Sequence, residues 1–241
     1  MFFYFDPLYL LMMLVTLAFS GWATLRVKGT YKHYSQIASQ SRYTGGQIAE
    51  QILQQQGITD VRVESIGARR SLLGGDGILS DHYDPREKVV RLSPHVYQTA
   101  SIAAQAIAAH EVGHAVQHAT AYAPLRFRNA LVPMANFGSQ LSYLFIFLGL
   151  IIQTFALVKL GIVLFGVAVL FQLVTLPVEF DASARAKQWL MSYGIVGAGD
   201  QRGVAAVLNA AAWTYVAAAA AAVLNLLYLL LRTGLFGNSR D

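Results

Sequence analysis

Three stretches of this chain are too apolar to rest in water. Residues 8–25 carry no charge, residues 131–176 carry one (Lys159), and residues 204–231 carry none. A crossing helix needs about 20 apolar residues, and a helix suits hydrocarbon because it satisfies its own backbone groups. The middle stretch has room for two crossings joined by a tight hairpin near Gln153 to Lys159. The expectation is a mainly α membrane protein with about four transmembrane helices. Composition agrees: 55% of residues are hydrophobic and 13% charged, against about 25% charged in ordinary soluble domains.

The first apolar stretch lacks the basic start of a signal peptide, since Met-Phe-Phe-Tyr-Phe-Asp precedes it, and no Ala-x-Ala cleavage site follows. It reads as an uncleaved anchor. Twelve of the 18 Lys and Arg residues fall in 26–130, and three more (Arg185, Lys187, Arg202) fall in 177–203. Arg26, Lys28 and Lys32 follow the first span directly, and Arg126 and Arg128 precede the second. The positive-inside rule places both regions in the cytoplasm. The N-terminus, the hairpin and the C-terminus then lie outside, with Arg232 and Arg240 as opposing charges. The expected layout is an anchor over 1–25, a cytoplasmic region over 26–130 and two crossings over 131–176. A cytoplasmic segment over 177–203 and a last crossing with its tail over 204–241 complete it. This is a multi-pass protein of the cell (inner) membrane.

The net charge of +5 follows from this topology. No basic segment interleaved with aromatics suggests nucleic acid as a partner; the bilayer is the expected one. The absence of cysteine excludes disulfides, a thiol nucleophile and a thiolate metal ligand.

The polar insert over 26–98 reads as a small α+β layer. Residues 44–57 form an amphipathic helix with Ile48, Ile52 and Leu53 on one face, Thr44 as cap and Gly57 as stop. Residues 61–66 alternate as a strand. Residues 69–77 are Gly-rich and read as a turn, because no P-loop Lys-Ser/Thr follows. Residues 78–83 and 88–92 flank Asp84-Pro-Arg-Glu87 as a β-hairpin, whose edge offers a place for an extended substrate strand.

The chemistry concentrates at His110-Glu-Val-Gly-His114. A match of this kind is expected on the order of 0.003 times by chance in a chain of this composition. The Ala-rich run from Thr99 favours helix, Gly113 leaves room for a close backbone, and Pro124 marks an end or a kink. On a helix His110 and His114 lie one turn apart and can reach one Zn2+, while Glu111 projects beside it as a general base. A catalytic zinc needs a third protein ligand. His118 lies roughly 12 Å from His110 along a straight helix, too far to share the ion. Glu179 follows the third span, where Pro177 would kink or end the helix, and is the better candidate. Asp181 and His82 are the other options.

His110-Glu-Val-Gly-His-Ala-Val-Gln-His118, Ser80-Asp-His-Tyr-Asp-Pro-Arg86 with Lys88-Val-Val-Arg-Leu-Ser93, and Leu176-Pro-Val-Glu-Phe-Asp-Ala-Ser183 together resemble the YugP-like family of bacterial membrane zinc metallopeptidases. The resemblance covers nearly the whole chain. More distantly the layout is similar to HtpX and the CAAX prenyl endopeptidases, in which a Glu opening Glu-x-x-x-Asp completes the site. Glu179 matches that Glu; Ser183 stands where the Asp would be. The resemblance implies peptidase activity; peptides or membrane proteins are the expected substrates.

The resulting expectation is a zincin-like, gluzincin-type metalloendopeptidase with its site at the cytoplasmic membrane face. His110, His114 and Glu179 hold zinc, Glu111 is the base, and His82, Tyr83 and Arg185 are candidates for oxyanion contact. The rival is a non-proteolytic zinc-binding membrane scaffold. Glu111 argues against it, since structural zinc needs no such carboxylate. A transporter fits less well, because the spans are nearly free of charge.

Overall fold

The computed structural model describes residues 6–66 and 80–235. Seven helices and three strands are described. The helices are α1 (Pro7–Ser35), α2 (Gly45–Gln55), α3 (Pro94–Gln98), α4 (Ile102–Ala119), α5 (Ala123–Ile151), α6 (Phe155–Ser192) and α7 (Gln201–Arg232). The strands are β1 (Arg62–Ser65), β2 (His82–Asp84) and β3 (Val89–Leu92). The Gly-rich stretch over 69–77, the first two hairpin residues and Arg240 lie outside the described residues.

Four of these helices, α1, α5, α6 and α7, are long and apolar enough to cross a membrane. The turn between α5 and α6 is tighter than the sequence suggested. It occupies only 152–154, with Gln153 in a left-handed conformation (φ 54°). Lys159 is therefore not in the turn. It lies one helical turn into α6, its ammonium 4.7 Å from the Phe155 ring centroid, where a cation–π contact offsets its charge. Pro177 does not end its helix either: α6 continues through it to Ser192, as membrane helices tolerate. Pro124 starts α5 rather than ending the motif helix, because a proline in the first turn loses no internal hydrogen bond.

Contacts divide the chain into two units, with boundaries inside the long helices. One contains residues up to Ala23, Arg126–Pro177 and residues from Thr214 on. Its helices meet through small residues, as expected where hydrocarbon removes the hydrophobic drive and close packing must hold them. A Cβ on Gly161 would lie 2.7 Å from the Ser142 carbonyl oxygen. Ile146, Val158 and Ile162 are buried together, against Leu226, Leu229 and Leu230. At one end the Tyr228 hydroxyl donates to the Asp6 carboxylate over 3.0 Å. Large side chains such as Leu14, Leu17, Phe137, Phe147 and Val163 remain exposed, as lipid-facing surface would.

The other unit comprises Thr24–Leu125 and Val178–Trp213. Its sheet has the order β1-β3-β2. β3 runs parallel to β1, pairing Val63 with Val90, and antiparallel to β2, pairing Tyr83 with Val90. The central strand buries Val89, Val90 and Leu92. Helix α2 opens at Thr44, the cap read from sequence, and the structure completes it as a capping box: the Thr44 hydroxyl accepts from Gln47 N, and the Gln47 side chain accepts from Thr44 N. Ile48, Ile52 and Leu53 enter the core with Val90, Leu92, Val112 and Leu190. Gly57, at φ 70°, turns the chain out of the helix as expected.

Candidate metal centre

Helix α4 runs through the middle of this core. Ser101 caps it, its hydroxyl accepting from Ala104 N at 3.1 Å. Ala103, Ala104, Ala106, Ala108 and Ala109 are all buried, so the alanine run that favours helix also lets the helix pack on every side. Gly113 is the point of closest approach. A Cβ there would lie 2.9 Å from the Ala182 carbonyl oxygen and 3.0 Å from its Cα, so α4 and α6 touch backbone to backbone.

Around that contact the two helices bring together His110, His114 and Glu179. Their ligand atoms all lie within 4.8 Å of one another, forming the one such cluster among the described residues. Glu179 Oε2 is 3.2 Å from His110 Nε2 and 3.5 Å from His114 Nε2. The rings stand edge to face with centroids 4.8 Å apart. The carboxylate is 4% exposed and the two imidazoles 13% and 12%, so the cluster is shielded but reachable.

Each ring has its other nitrogen occupied. Ser183 Oγ is 3.1 Å from His110 Nδ1, and Gln117 Oε1 is 3.0 Å from His114 Nδ1. An amide oxygen only accepts, so His114 carries its proton on Nδ1 and turns an Nε2 lone pair toward the Glu179 oxygen. A lone pair and a carboxylate facing each other repel unless a proton or a cation lies between them. Burial disfavours charge on His114, but the Glu179 carboxylate, helped by Glu111, overcomes it and holds the ring's pKa above the usual histidine value. Two imidazoles and one carboxylate are a donor set that suits zinc, and the tautomer leaves the correct nitrogen free.

The remaining sequence candidates lie apart from this cluster. Asp181 accepts from Arg185 Nε at 2.7 Å and from Gln117 Nε2 at 2.8 Å. His118 Nδ1 is 2.8 Å from the Tyr83 hydroxyl, whose pKa burial pushes up to about 12. His82 is exposed, with Nδ1 2.7 Å from the Ser80 carbonyl. Glu111 is buried, at 9% exposure. Two residues of this region were not singled out from sequence. One is Gln117, whose signal was its place three residues past His114, hence on the same helix face. The other is Asp81, which accepts from Ser93 N at 2.6 Å. Burial, and next the Glu111 charge, raise the Asp81 pKa to about 6 against the Ser93 hydrogen bonds.

A zinc-type donor set where two helices meet, in a chain with four membrane-length helices, is what the class of membrane metalloproteins would present. The chain belongs to the family described as "Putative neutral zinc metallopeptidase", whose model matches residues 9–234. It is 42% identical over 234 residues to "Putative membrane protease YugP" of Bacillus subtilis (strain 168), covering 97% of this chain and 99% of that protein. No solved structure matches at a significant level. The chain is thus a membrane protein of a zinc peptidase family.

Proposed function

We propose that this protein is a zinc metalloendopeptidase of the cell (inner) membrane, working at the cytoplasmic face on peptides or segments of membrane proteins. The observation that carries the reading is the meeting of His110, His114 and Glu179 from two helices, with Glu111 on the same helix as the histidines. In this reading α4 is a zincin-type helix, and the carboxylate from α6 makes the site gluzincin-like. Zinc, when bound, would polarise the scissile carbonyl and bring the pKa of a water down to about 7.

The chain's own residues supply the rest. His110, His114 and Glu179 would hold the ion, with Ser183 and Gln117 fixing the two rings. Glu111 takes the proton of the attacking water and delivers it to the leaving amine. Among the described residues β2 is an edge strand of the sheet, and Tyr83 ties it to α4 through His118. An extended substrate segment pairing with that edge would run beside the site.

The test uses detergent-purified full-length protein and unfolded peptide substrates. Cleavage should require zinc, stop with a chelator and return on adding zinc. Zinc binding without cleavage by the parent protein on any peptide or membrane-protein substrate would favour a scaffold instead.

A further inference from the structure

We infer that Gln117 is the positioning residue that sets the His114 ring for the metal, doing with a neutral amide what a carboxylate commonly does beside a ligating histidine. The inference rests on the zinc reading above. Gln117 is fully buried. Its Nε2 lies 2.8 Å from the Val178 carbonyl oxygen and 2.8 Å from Asp181 Oδ2. A carbonyl accepts and cannot donate, and so does an ionised carboxylate, so the amide can face only one way. Its Oε1 must then point at His114, 3.0 Å from Nδ1, and Nδ1 must carry the proton. The lone pair is thereby committed to Nε2, the nitrogen that faces Glu179.

The same amide does a second thing. Val178 immediately precedes Glu179 in α6. Gln117 therefore ties the imidazole ligand on α4 to the segment that carries the carboxylate ligand. The backbone contact of Gly113 with Ala182 brings the helices close enough for this reach.

Charge is kept one residue further out. Asp181 is paired with Arg185 Nε at 2.7 Å, and the Arg185 guanidinium carbon lies 5.7 Å from the centroid of the Tyr122 ring. The partner of His110 is likewise neutral, the Ser183 hydroxyl. Both histidines are thus oriented without a carboxylate on Nδ1. They would be weaker donors for it, which would leave more of a bound ion's positive charge for substrate.

Zinc affinity by chelator competition, on full-length protein in detergent, tests this. Gln117→Met fills the same space and makes none of the three hydrogen bonds. It should weaken zinc about 10- to 100-fold, while Asp181→Asn, which still accepts from Gln117 Nε2, changes it less than about twofold. In the zinc-loaded parent, NMR of ¹⁵N-histidine protein should show a His114 Nδ1 proton protected from exchange; in Gln117→Met that protection should vanish. The parent spectrum stands even if the variant fails to fold. No protected Nδ1 proton in the parent, an unchanged affinity in Gln117→Met, or an equal loss in Asp181→Asn overturns the inference and leaves the zinc site standing. A parent that takes up no zinc overturns both.

Discussion

At the scale of single residues the site makes sharp demands. Glu111→Gln keeps size and polarity but cannot take a proton, so the variant should bind zinc like the parent and lose cleavage by roughly 10²- to 10⁴-fold. His114→Ala should lose both zinc and activity; full zinc in that variant, measured by elemental analysis, would count against the ligand set. Asp81 has a different consequence. Its pKa in the folded protein, about 6, lies above the ordinary 3.8. Its contribution to stability is therefore fully present below about pH 4 and lost as pH rises through 6. Asp81→Asn can keep the bonds to Ser93, so it should melt higher than the parent at pH 8 and like it at pH 4. The pairing of the two motif histidines was legible because their spacing is tied to one helix. Gln117 and Asp81 were not. Their roles come from burial and from partners such as Val178 and Ser93, which no local pattern announces.

Secondary-structure elements explain why two distant segments meet. The α4–α6 crossing depends on the missing side chain of Gly113 and on the small Ala182. Gly113→Ala gains about 1 kcal/mol of helix propensity. Its methyl, however, would press on backbone atoms 2.9 and 3.0 Å away, a kind of overpacking that costs about 1–3 kcal/mol. Because backbone cannot rotate aside, the helices must separate, and His110 and His114 move away from Glu179. The expected result is a protein still helical by circular dichroism but with zinc affinity lowered at least tenfold; undiminished affinity would show that the crossing tolerates the shift. Sequence periodicity and capping chemistry located α2 and its Thr44 cap closely. They misplaced the prolines. Pro124 and Pro177 were each expected to end or kink a helix; neither ends one, and Pro124 sits in a first turn, where its missing donor is harmless. The other lies in a helix whose flanking stretch is apolar enough to enter lipid, where a broken backbone ladder would cost more than a proline.

The whole molecule adds a constraint of parity. His110 and His114 belong to the region between the first and second apolar helices, and Glu179 lies in the third, past its most apolar part. One cluster can contain all three only if the chain crosses the membrane an even number of times between them. In the proposed topology α5 and the apolar part of α6, both long and apolar enough to cross, would supply two crossings. The proposed sign comes from the Lys and Arg distribution, which would put 26–130 and 177–203 inside. Tyr228 and Asp6 in hydrogen-bond contact put the far end of α7 beside the start of α1, an arrangement that the proposed four crossings would need. Since the chain has no cysteine, single substitutions report sidedness directly. Thr154→Cys, in the exposed α5–α6 turn, should react with a membrane-impermeant maleimide in intact cells. Glu50→Cys on α2 and Arg202→Cys at the start of α7 should react only after permeabilisation. If Glu50→Cys and Arg202→Cys both react in intact cells while Thr154→Cys does not, the site faces outward and the charge argument fails. If Glu50→Cys and Arg202→Cys label on opposite sides, Glu179 cannot share an ion with the two histidines, and the proposed metal centre falls with the topology.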